Sequence, residues 1–219
     1  IYEVILRKKL QTLHTPSPQS WLEIAKSLTE LGLSVLPVLN KKPKLNPNGF
    51  PQGRWGPLKD RLMTDEELRL NFKDFKGSID GIAVICGQIS GNLEVIDFDN
   101  KDELCDSRFE PWSAVIRAER PDLYSSLVIS GSLSGGYHVY YRCTDPVDSS
   151  AKLARDIVEG GRVALIETRG EGRYAVIAPT PGYELIQGSL TNLPTISAEN
   201  RNFLMMTARQ FNHIKDRSI

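Results

Sequence analysis

Two aspartates near the middle of the chain, Asp97 and Asp99, are the residues whose type and spacing point most directly to chemistry. They end an apolar run, and in an extended strand alternate side chains point the same way, so both carboxylates are expected on one face. Two carboxylates about 6–7 Å apart along a strand repel each other unless a cation lies between them. The spacing favours a site for a divalent cation such as Mg²⁺, although an ordinary Asp/Asn turn after a strand gives the same pattern.

A turn of small residues followed at once by a predicted strand forms a second cluster, at residues 132–142. Its glycines leave backbone N–H groups open to approach, and a hydroxyl and an imidazole lie beside them in sequence. Such a group can bind a triphosphate, although a glycine turn beside a core histidine is also consistent with these residues. The candidates are Ser134, Gly135, Gly136 and His138, and the strand is expected to present His138, Tyr140 and Arg142 on one face.

A third cluster, at residues 163–180, has the pattern of an apolar strand, a glycine-rich turn and a second strand. Glu167 ends the first strand much as Asp97 ends its own, and Arg169 is expected on the same face two residues later. This supplies a third carboxylate and a guanidinium suited to bidentate phosphate contact. The same residues would also fit an exposed hairpin with a Glu/Arg pair.

The strongest local charge imbalance lies between residues 41 and 61, which contain six basic residues and one acidic residue. Phe50 and Trp55 lie among these cations, a combination that suits a surface for phosphates and bases. A solvated loop with Trp55 as its apolar anchor is the alternative. The candidate DNA contacts in this segment are Lys41, Lys42, Lys44 and Arg54.

Composition narrows the possible function classes. The 219 residues carry 27 basic and 27 acidic side chains, which argues against binding to nucleic acid by bulk charge alone but does not exclude a local basic groove. The three cysteines contain no C-x-x-C pair, which argues against a zinc knuckle and a disulfide framework and favours reduced thiols in the cytoplasm. No apolar run of about 18 residues and no signal-peptide pattern occurs, so no membrane role is expected. The chain begins at Ile1 instead of Met, which suggests a fragment of a longer protein.

Helix and strand signals alternate along the chain and predict an α/β protein. Three helices are expected to begin after Ser20, Thr64 and Ser197, the first ending at Gly32 and the last carrying a packing stripe of Phe203, Leu204, Met206 and Phe211. Strands are expected at residues 33–38 and 183–186, and residues 82–87 and 93–98 are expected to pair as a hairpin. Residues 1–13 are expected to form a short amphipathic helix.

In this order, the three clusters resemble the bifunctional primase–polymerase (prim-pol) domain of the archaeo-eukaryotic primase superfamily. Its D-x-D motif resembles residues 95–99, its S-G-G-x-H-x-Y motif matches residues 134–140, and its acid-x-R-G-x-G motif resembles residues 167–172. The resemblance covers residues 20–188. The sequence departs from the family pattern with Glu167 for the usual Asp, Arg173 for a common second Gly, and Thr180 for Ser.

The resemblance implies an archaeo-eukaryotic primase fold, in which an N-terminal α/β module joins an RRM-like module and the active site lies in the cleft between them. Residues 20–190 would be the catalytic domain, residues 1–19 an N-terminal extension, and residues 191–219 a helix leading to an accessory or helicase domain. The implied activity is DNA-templated transfer of nucleotidyl groups from NTP or dNTP substrates to a growing strand, with release of pyrophosphate and with two Mg²⁺ or Mn²⁺ ions. The implied roles are metal binding by Asp97, Asp99 and Glu167, catalysis by these acids and His138, and nucleotide binding by Ser134, Gly135, Gly136, His138 and Arg169.

Two other functions remain open. A nucleic-acid-binding replication or repair module could keep the fold without turnover, and nucleotide incorporation by the wild type would separate it from an enzyme. A nucleotide-sugar transferase with a D-x-D metal site would explain Asp97 and Asp99 but gives the cluster at residues 132–142 no role.

Overall fold

A computed structural model of the protein describes residues 18–50, 53–75, 79–100, 108–158 and 161–214. These residues form five α-helices and eleven β-strands, which confirms the expected mixed α/β class. The helices are α1 (Pro18–Glu30), α2 (Asp65–Phe72), α3 (Phe109–Glu119), α4 (Pro121–Ser126) and α5 (Ala198–Arg209). The strands are β1 (Ser34–Leu39), β2 (Lys42–Pro43), β3 (Gly81–Ile85), β4 (Leu93–Phe98), β5 (Val128–Gly131), β6 (Tyr137–Cys143), β7 (Lys152–Val158), β8 (Gly161–Arg169), β9 (Tyr174–Ile177), β10 (Glu184–Gln187) and β11 (Thr195–Ile196). The predicted helix at residues 1–13 lies outside the described residues.

The strands form two sheets. The first sheet is antiparallel in the order β2-β1-β3-β9. The second runs antiparallel in the order β10-β5-β6-β4-β8-β7, and β11 adds to β6 in parallel. The central strand β4 of the second sheet therefore lies between β6 and β8, the strands that carry the other two motifs.

The predicted hairpin between residues 82–87 and 93–98 is wrong except for one antiparallel bridge between Gly87 and Leu93, because β3 belongs to the first sheet and β4 to the second. A short 3₁₀ turn at Gln88–Ser90 separates them, entered through Gly87 in a positive-φ conformation (97°). The Ser90 hydroxyl accepts a hydrogen bond from the Ser34 N–H at 3.0 Å and donates one to the Ile85 carbonyl at 2.6 Å. These bonds hold the turn on the first sheet while the chain crosses to the second.

Alternating side chains of the second sheet serve two separate cores. Val95 and Tyr140 are buried in a core shared with the first sheet, α1 and α2. Ile96 and Val139, one residue along each strand, are buried on the opposite face against α3, α4 and α5. The face that carries Val95 also carries Asp97, so the acids predicted from the sequence look toward the first sheet.

Helix starts follow the capping signals at two of the three predicted positions. Thr64 and Glu67 form the reciprocal capping box of α2, and the Ser197 hydroxyl accepts a hydrogen bond from the Asn200 N–H at the start of α5. The predicted cap at Ser20 is wrong, since α1 already begins at Pro18. A proline is tolerated in the first turn of a helix because its missing N–H has no partner there.

The terminal helix α5 packs against the second sheet through Leu204, Met205 and Ala208. The predicted stripe is therefore shifted, because Met206 is 53% exposed while its neighbour Met205 is buried. Of the helices in the described ranges, none is both long enough and apolar enough to cross a bilayer.

A buried ion pair fastens this helix to strand β4. Glu94 is fully buried, accepts hydrogen bonds from Arg201 Nε (2.7 Å) and Nη2 (2.9 Å), and accepts a third from the Tyr141 hydroxyl (2.8 Å). The hydrogen bond to Glu94 raises the pKa of Arg201. Because both carboxylate oxygens are paired, the charge of Glu94 is compatible with complete burial.

Arg201→Ala should lower the free energy of unfolding by about 3–5 kcal/mol, because it leaves the buried carboxylate of Glu94 without a cation. Urea denaturation followed by circular dichroism measures the change. Arg209→Ala, at an exposed position of the same helix, is the matched control and should change stability by no more than about 0.5 kcal/mol. A loss of under 1 kcal/mol for Arg201→Ala would show that the pair does not anchor the helix.

Candidate functional site

The strand register brings residues from all three sequence clusters side by side. Asp97 on β4 lies directly opposite His138 on β6 and directly opposite Glu167 on β8. Directly opposed residues of neighbouring strands point to the same face of a sheet. The imidazole and the two carboxylates, 70 residues apart in the chain at their extremes (97 and 167), therefore share one face of the second sheet.

Arg169 joins the two carboxylates. Its Nη2 atom lies 2.6 Å from Glu167 Oε1 and 3.0 Å from Asp97 Oδ2, and its Nε lies 3.3 Å from the same Asp97 oxygen. The side chains of Asp97 and Glu167 are only 14% and 18% exposed, so water screens this contact weakly. The cation that the crowded acids require is therefore supplied by the protein itself.

The surroundings of Asp97 favour its ionised form. Burial raises the pKa of this carboxyl, but the hydrogen bond and charge of His138, together with Arg169, outweigh burial and lower the pKa to about 2. The charges of Asp97 and Glu167 in turn raise the pKa of Arg169 against the opposing effect of its own burial. Asp97 is thus an anion over the whole physiological pH range.

His138 is held by contacts on both ring nitrogens. Its Nε2 lies 3.4 Å from Asp97 Oδ1, and its Nδ1 hydrogen-bonds with the Tyr140 hydroxyl at 3.1 Å. Tyr140 is buried and hydrogen-bonds in turn with the Ser130 hydroxyl at 2.9 Å. The ring of Tyr183 packs 5.6 Å from the imidazole, centroid to centroid. These contacts fix the orientation of the imidazole toward the carboxylates.

The site face opens into a cavity of about 510 Å³ between the two sheets. The wall formed by the second sheet and its hairpin turn contributes Asp97, Asp99, Ser132, Ser134, His138 and Arg169. The facing wall contributes Lys41, Trp55, Lys59, Arg173 and Tyr174. Of the residues predicted from the sequence, six do not line the cavity: Gly135, Gly136, Glu167, Lys42, Lys44 and Arg54.

Glycine is required at the two positions of the second cluster for two different reasons. Gly135 has φ +81°, in the left-handed region that disfavours side chains. A Cβ at Gly136 would lie 2.0 Å from the Phe98 carbonyl oxygen, so only glycine lets the turn approach the end of β4. Backbone packing thus brings the turn that carries Ser134 to the end of β4, and Ser134 lines the same cavity as the aspartates.

Several residues of the site escaped sequence reasoning. Tyr140 occupies the last position of the S-G-G-x-H-x-Y motif, so the motif held a signal for it. Lys59 was visible only as one of the six basic residues between residues 41 and 61, and Arg173 only as a departure from the family pattern. Tyr174 and Tyr183 had no signal beyond their strands. They become recognisable only when the two sheets face each other across the cavity.

The donor set can be compared with the needs of a divalent metal. Within the described ranges, no group of three or more His, Cys, Asp or Glu side chains is arranged to hold a metal ion. Asp97 and Glu167 nevertheless lie close enough to share one guanidinium, and carboxylate oxygens are the ligands preferred by Mg²⁺ and Mn²⁺. The chemistry of these donors therefore fits a hard divalent cation.

A comparison with family models matched residues 25–196 to the N-terminal domain of bifunctional DNA primase/polymerases. The match covers well over half of the chain and includes β4, β6 and β8. A search of curated proteins found no match.

Asp97→Asn should lower the free energy of unfolding at pH 6 and change it little at pH 2. Because the folded-state pKa of Asp97 is lowered from 3.8 to about 2, its ionised form stabilises the fold above about pH 4, and this contribution of about 2–3 kcal/mol is lost as the pH falls toward 2. Denaturant unfolding of both proteins between pH 2 and pH 6 measures the difference. The difference should shrink in an Arg169→Ala background, and a constant difference across this range would contradict the assignment.

Proposed function

The chain belongs to the family of bifunctional DNA primase/polymerase N-terminal domains, and from this membership we propose that its cleft carries out DNA-templated nucleotidyl transfer, making primers, extending them, or both. The observation that carries the proposal is the position of Asp97 on the central strand, directly between His138 and Glu167. An acid cluster beside an imidazole, at the edge of a cavity of about 510 Å³, suits a metal-bound nucleoside triphosphate.

Asp97, Asp99 and Glu167 are the residues we assign to metal binding. The shared contact with Arg169 supports this assignment, since it shows that the first and third of these carboxylates approach one positive group together. When bound, a pair of Mg²⁺ or Mn²⁺ ions would activate the attacking hydroxyl and neutralise the departing pyrophosphate. Phosphoryl chemistry of this kind depends mainly on positioning and charge neutralisation.

His138, Ser134 and the backbone of Gly135 and Gly136 are assigned to the phosphates of the incoming nucleotide. The hydrogen bond between His138 Nε2 and Asp97 Oδ1 is long, at 3.4 Å against the usual length of about 2.7–3.2 Å, and is therefore weak. A phosphate oxygen can therefore compete for this nitrogen, while Tyr140 keeps the other one engaged. The imidazole would donate to the phosphate and hold it next to the carboxylates.

Arg169 is assigned to a second phosphate contact. In the free protein its guanidinium contacts both Asp97 and Glu167 and offsets part of their negative charge. Once divalent cations neutralise these acids, the guanidinium can turn to a phosphate, for which its planar donors are suited. Arg169 would thus keep the acids together without metal and bind substrate with it.

DNA contacts are assigned to the basic segment at Lys41, Lys42, Lys44 and Arg54. All four side chains are exposed, and Lys41 has the strongest support because it also lines the cavity. We take residues 20–190 as the catalytic domain, with α5 packed on its second sheet and an accessory or helicase domain expected beyond it.

Asp97→Ala or Asp99→Ala should reduce nucleotide incorporation by about 100-fold or more, because each removes charge that positions the reacting groups. Primer synthesis and extension on single-stranded DNA, with NTPs or dNTPs and Mg²⁺ or Mn²⁺, measure the activity. Asp122→Ala, at an exposed position of α4, is the matched control and should retain full activity. Equal background incorporation by the wild type and both variants would instead support a binding module without turnover.

His138→Ala should weaken nucleotide binding by about 10- to 100-fold, as expected for the loss of a hydrogen bond to a charged group. Affinity for template DNA should not change, since of the proposed DNA contacts Lys41 lies on the facing wall and the other three lie outside the cavity. Separate equilibrium titrations with a nucleoside triphosphate and with labelled DNA test both statements. An unchanged nucleotide affinity would remove His138 from the substrate site.

A further inference from the structure

The cavity wall that faces the acids carries an aromatic pair, Trp55 and Tyr174. Their rings meet edge to face, 5.7 Å apart at an interplanar angle of 85°. Trp55 precedes a short 3₁₀ helix (Gly56–Lys59) anchored by the fully buried Leu58, and Tyr174 begins β9. Both rings are partly buried against the core of the first sheet and both line the cavity. The pair is therefore a fixed apolar surface that remains open on the cleft side.

Three cations surround this pair. The Lys59 ammonium lies 4.9 Å from the centroid of the Trp55 ring, and the Tyr174 hydroxyl hydrogen-bonds with the Lys41 carbonyl at 3.4 Å. Arg173 directly precedes Tyr174, and all three cations line the cavity. Aromatic rings bordered by basic side chains are the combination that holds unpaired bases and their phosphates.

The two walls of the cleft carry opposite charges. The acids that line the cavity, Asp97 and Asp99, lie on the wall of the second sheet, and Lys41, Lys59 and Arg173 lie on the other. A polyanionic DNA backbone is repelled by the acidic wall and attracted by the basic one. The basic wall therefore suits the DNA strand, and the acidic wall suits a nucleotide accompanied by cations.

We propose that Trp55, supported by Tyr174, is a stacking platform for an unpaired base of the template DNA strand, with Lys59, Lys41 and Arg173 contacting the phosphates on either side of that base. The proposal rests on the proposed function, because it places the template opposite the nucleotide site. The cation–π contact of the exposed Lys59 is weaker than base stacking on tryptophan, so a base can displace it and release the ammonium to a phosphate. Phe50, the other aromatic residue of this segment, is 1% exposed and is unsuited to stacking.

Because the tryptophans differ in exposure, tryptophan fluorescence can report base stacking on Trp55. Of the three tryptophans in the chain, Trp21 and Trp112 are 1% and 0% exposed, whereas Trp55 is partly exposed in the cleft. A base stacked on Trp55 should quench the tryptophan fluorescence of the wild type. Trp55→Phe should remove the quenching and keep most of the affinity, because phenylalanine also presents an aromatic face.

Affinity for a short oligo(dT), measured by fluorescence anisotropy without metal or nucleotide, tests the energetic part of the proposal. Trp55→Ala should weaken binding by about 5- to 150-fold, the range expected for the loss of one stacked base. A series of oligonucleotides, each with a single abasic site at a different position, locates the stacked base. The wild type should bind one member of the series more weakly than the others, and Trp55→Ala should bind all members equally. Arg209→Ala on α5 is the matched control. Circular dichroism checks folding, and Lys59→Ala provides a second variant that leaves the ring in place.

The outcomes separate this proposal from the proposed function. Unchanged DNA affinity in Trp55→Ala, together with quenching that persists in Trp55→Phe, would overturn the platform even if the enzyme incorporates nucleotides normally. Quenching by a nucleoside triphosphate but not by oligo(dT) would place the incoming base there instead and would also overturn it. DNA binding that depends on Trp55 in a protein that incorporates no nucleotide would support the platform and contradict the enzyme.

Discussion

The contact on which the site depends is the one that Arg169 makes with Asp97 and Glu167 across β4 and β8. Two carboxylates on directly opposed positions of a sheet repel each other, and a guanidinium within 3.0 Å of both removes that repulsion. The three residues lie on the strands that form the middle of the second sheet. Arg169 therefore permits an acidic cluster at a place where an apolar sheet would otherwise exclude it.

A second arginine, Arg201 of α5, pairs with an acid on the other face of β4, and the two pairs together make the register of this strand hard to change. Glu94 pairs with Arg201 on the helix side, while Asp97 pairs with Arg169 on the cleft side. A slip of one residue would exchange the faces and leave both acids without their cations. The strand thus carries a charge on each face, and the two ion pairs together favour a single register.

Two of the three crossings between the sheets, from β3 to β4 and from β8 to β9, are linked to each other. The chain passes from β3 to β4 through Gly87 and returns from β8 to β9 through Gly170, where a Cβ would lie 1.9 Å from the Asp148 carbonyl oxygen. Glu171 links the crossings, since its carboxylate accepts a hydrogen bond from the Gln88 N–H at 2.8 Å. The third motif therefore serves both chemistry and architecture, because the residues that follow Arg169 also join the acidic wall to the basic wall.

Sequence reasoning went furthest where a local rule was sufficient. Strand alternation correctly predicted that Asp97 and Ile96 point to opposite faces of the sheet, and capping signals correctly predicted the starts of α2 and α5. It failed at β3 and β4, because a glycine turn between two apolar runs gives the same pattern for a hairpin and for a crossing between sheets. It suggested a surface for phosphates and bases around Trp55, but it could not predict the contact of Trp55 with Tyr174, because the two residues are 119 positions apart in the chain (55 and 174) and meet through the packing of the first sheet. The RRM-like character of the second module stays a prediction.

The most direct test of the central claim is a crystal structure of the protein with Mn²⁺ and a nucleoside triphosphate, with anomalous scattering used to locate manganese. The account predicts manganese at the carboxylates of Asp97 and Glu167, with a phosphate of the nucleotide in contact with His138. Manganese bound elsewhere, with Arg169 still joining the two carboxylates and the phosphates distant from His138, would contradict it.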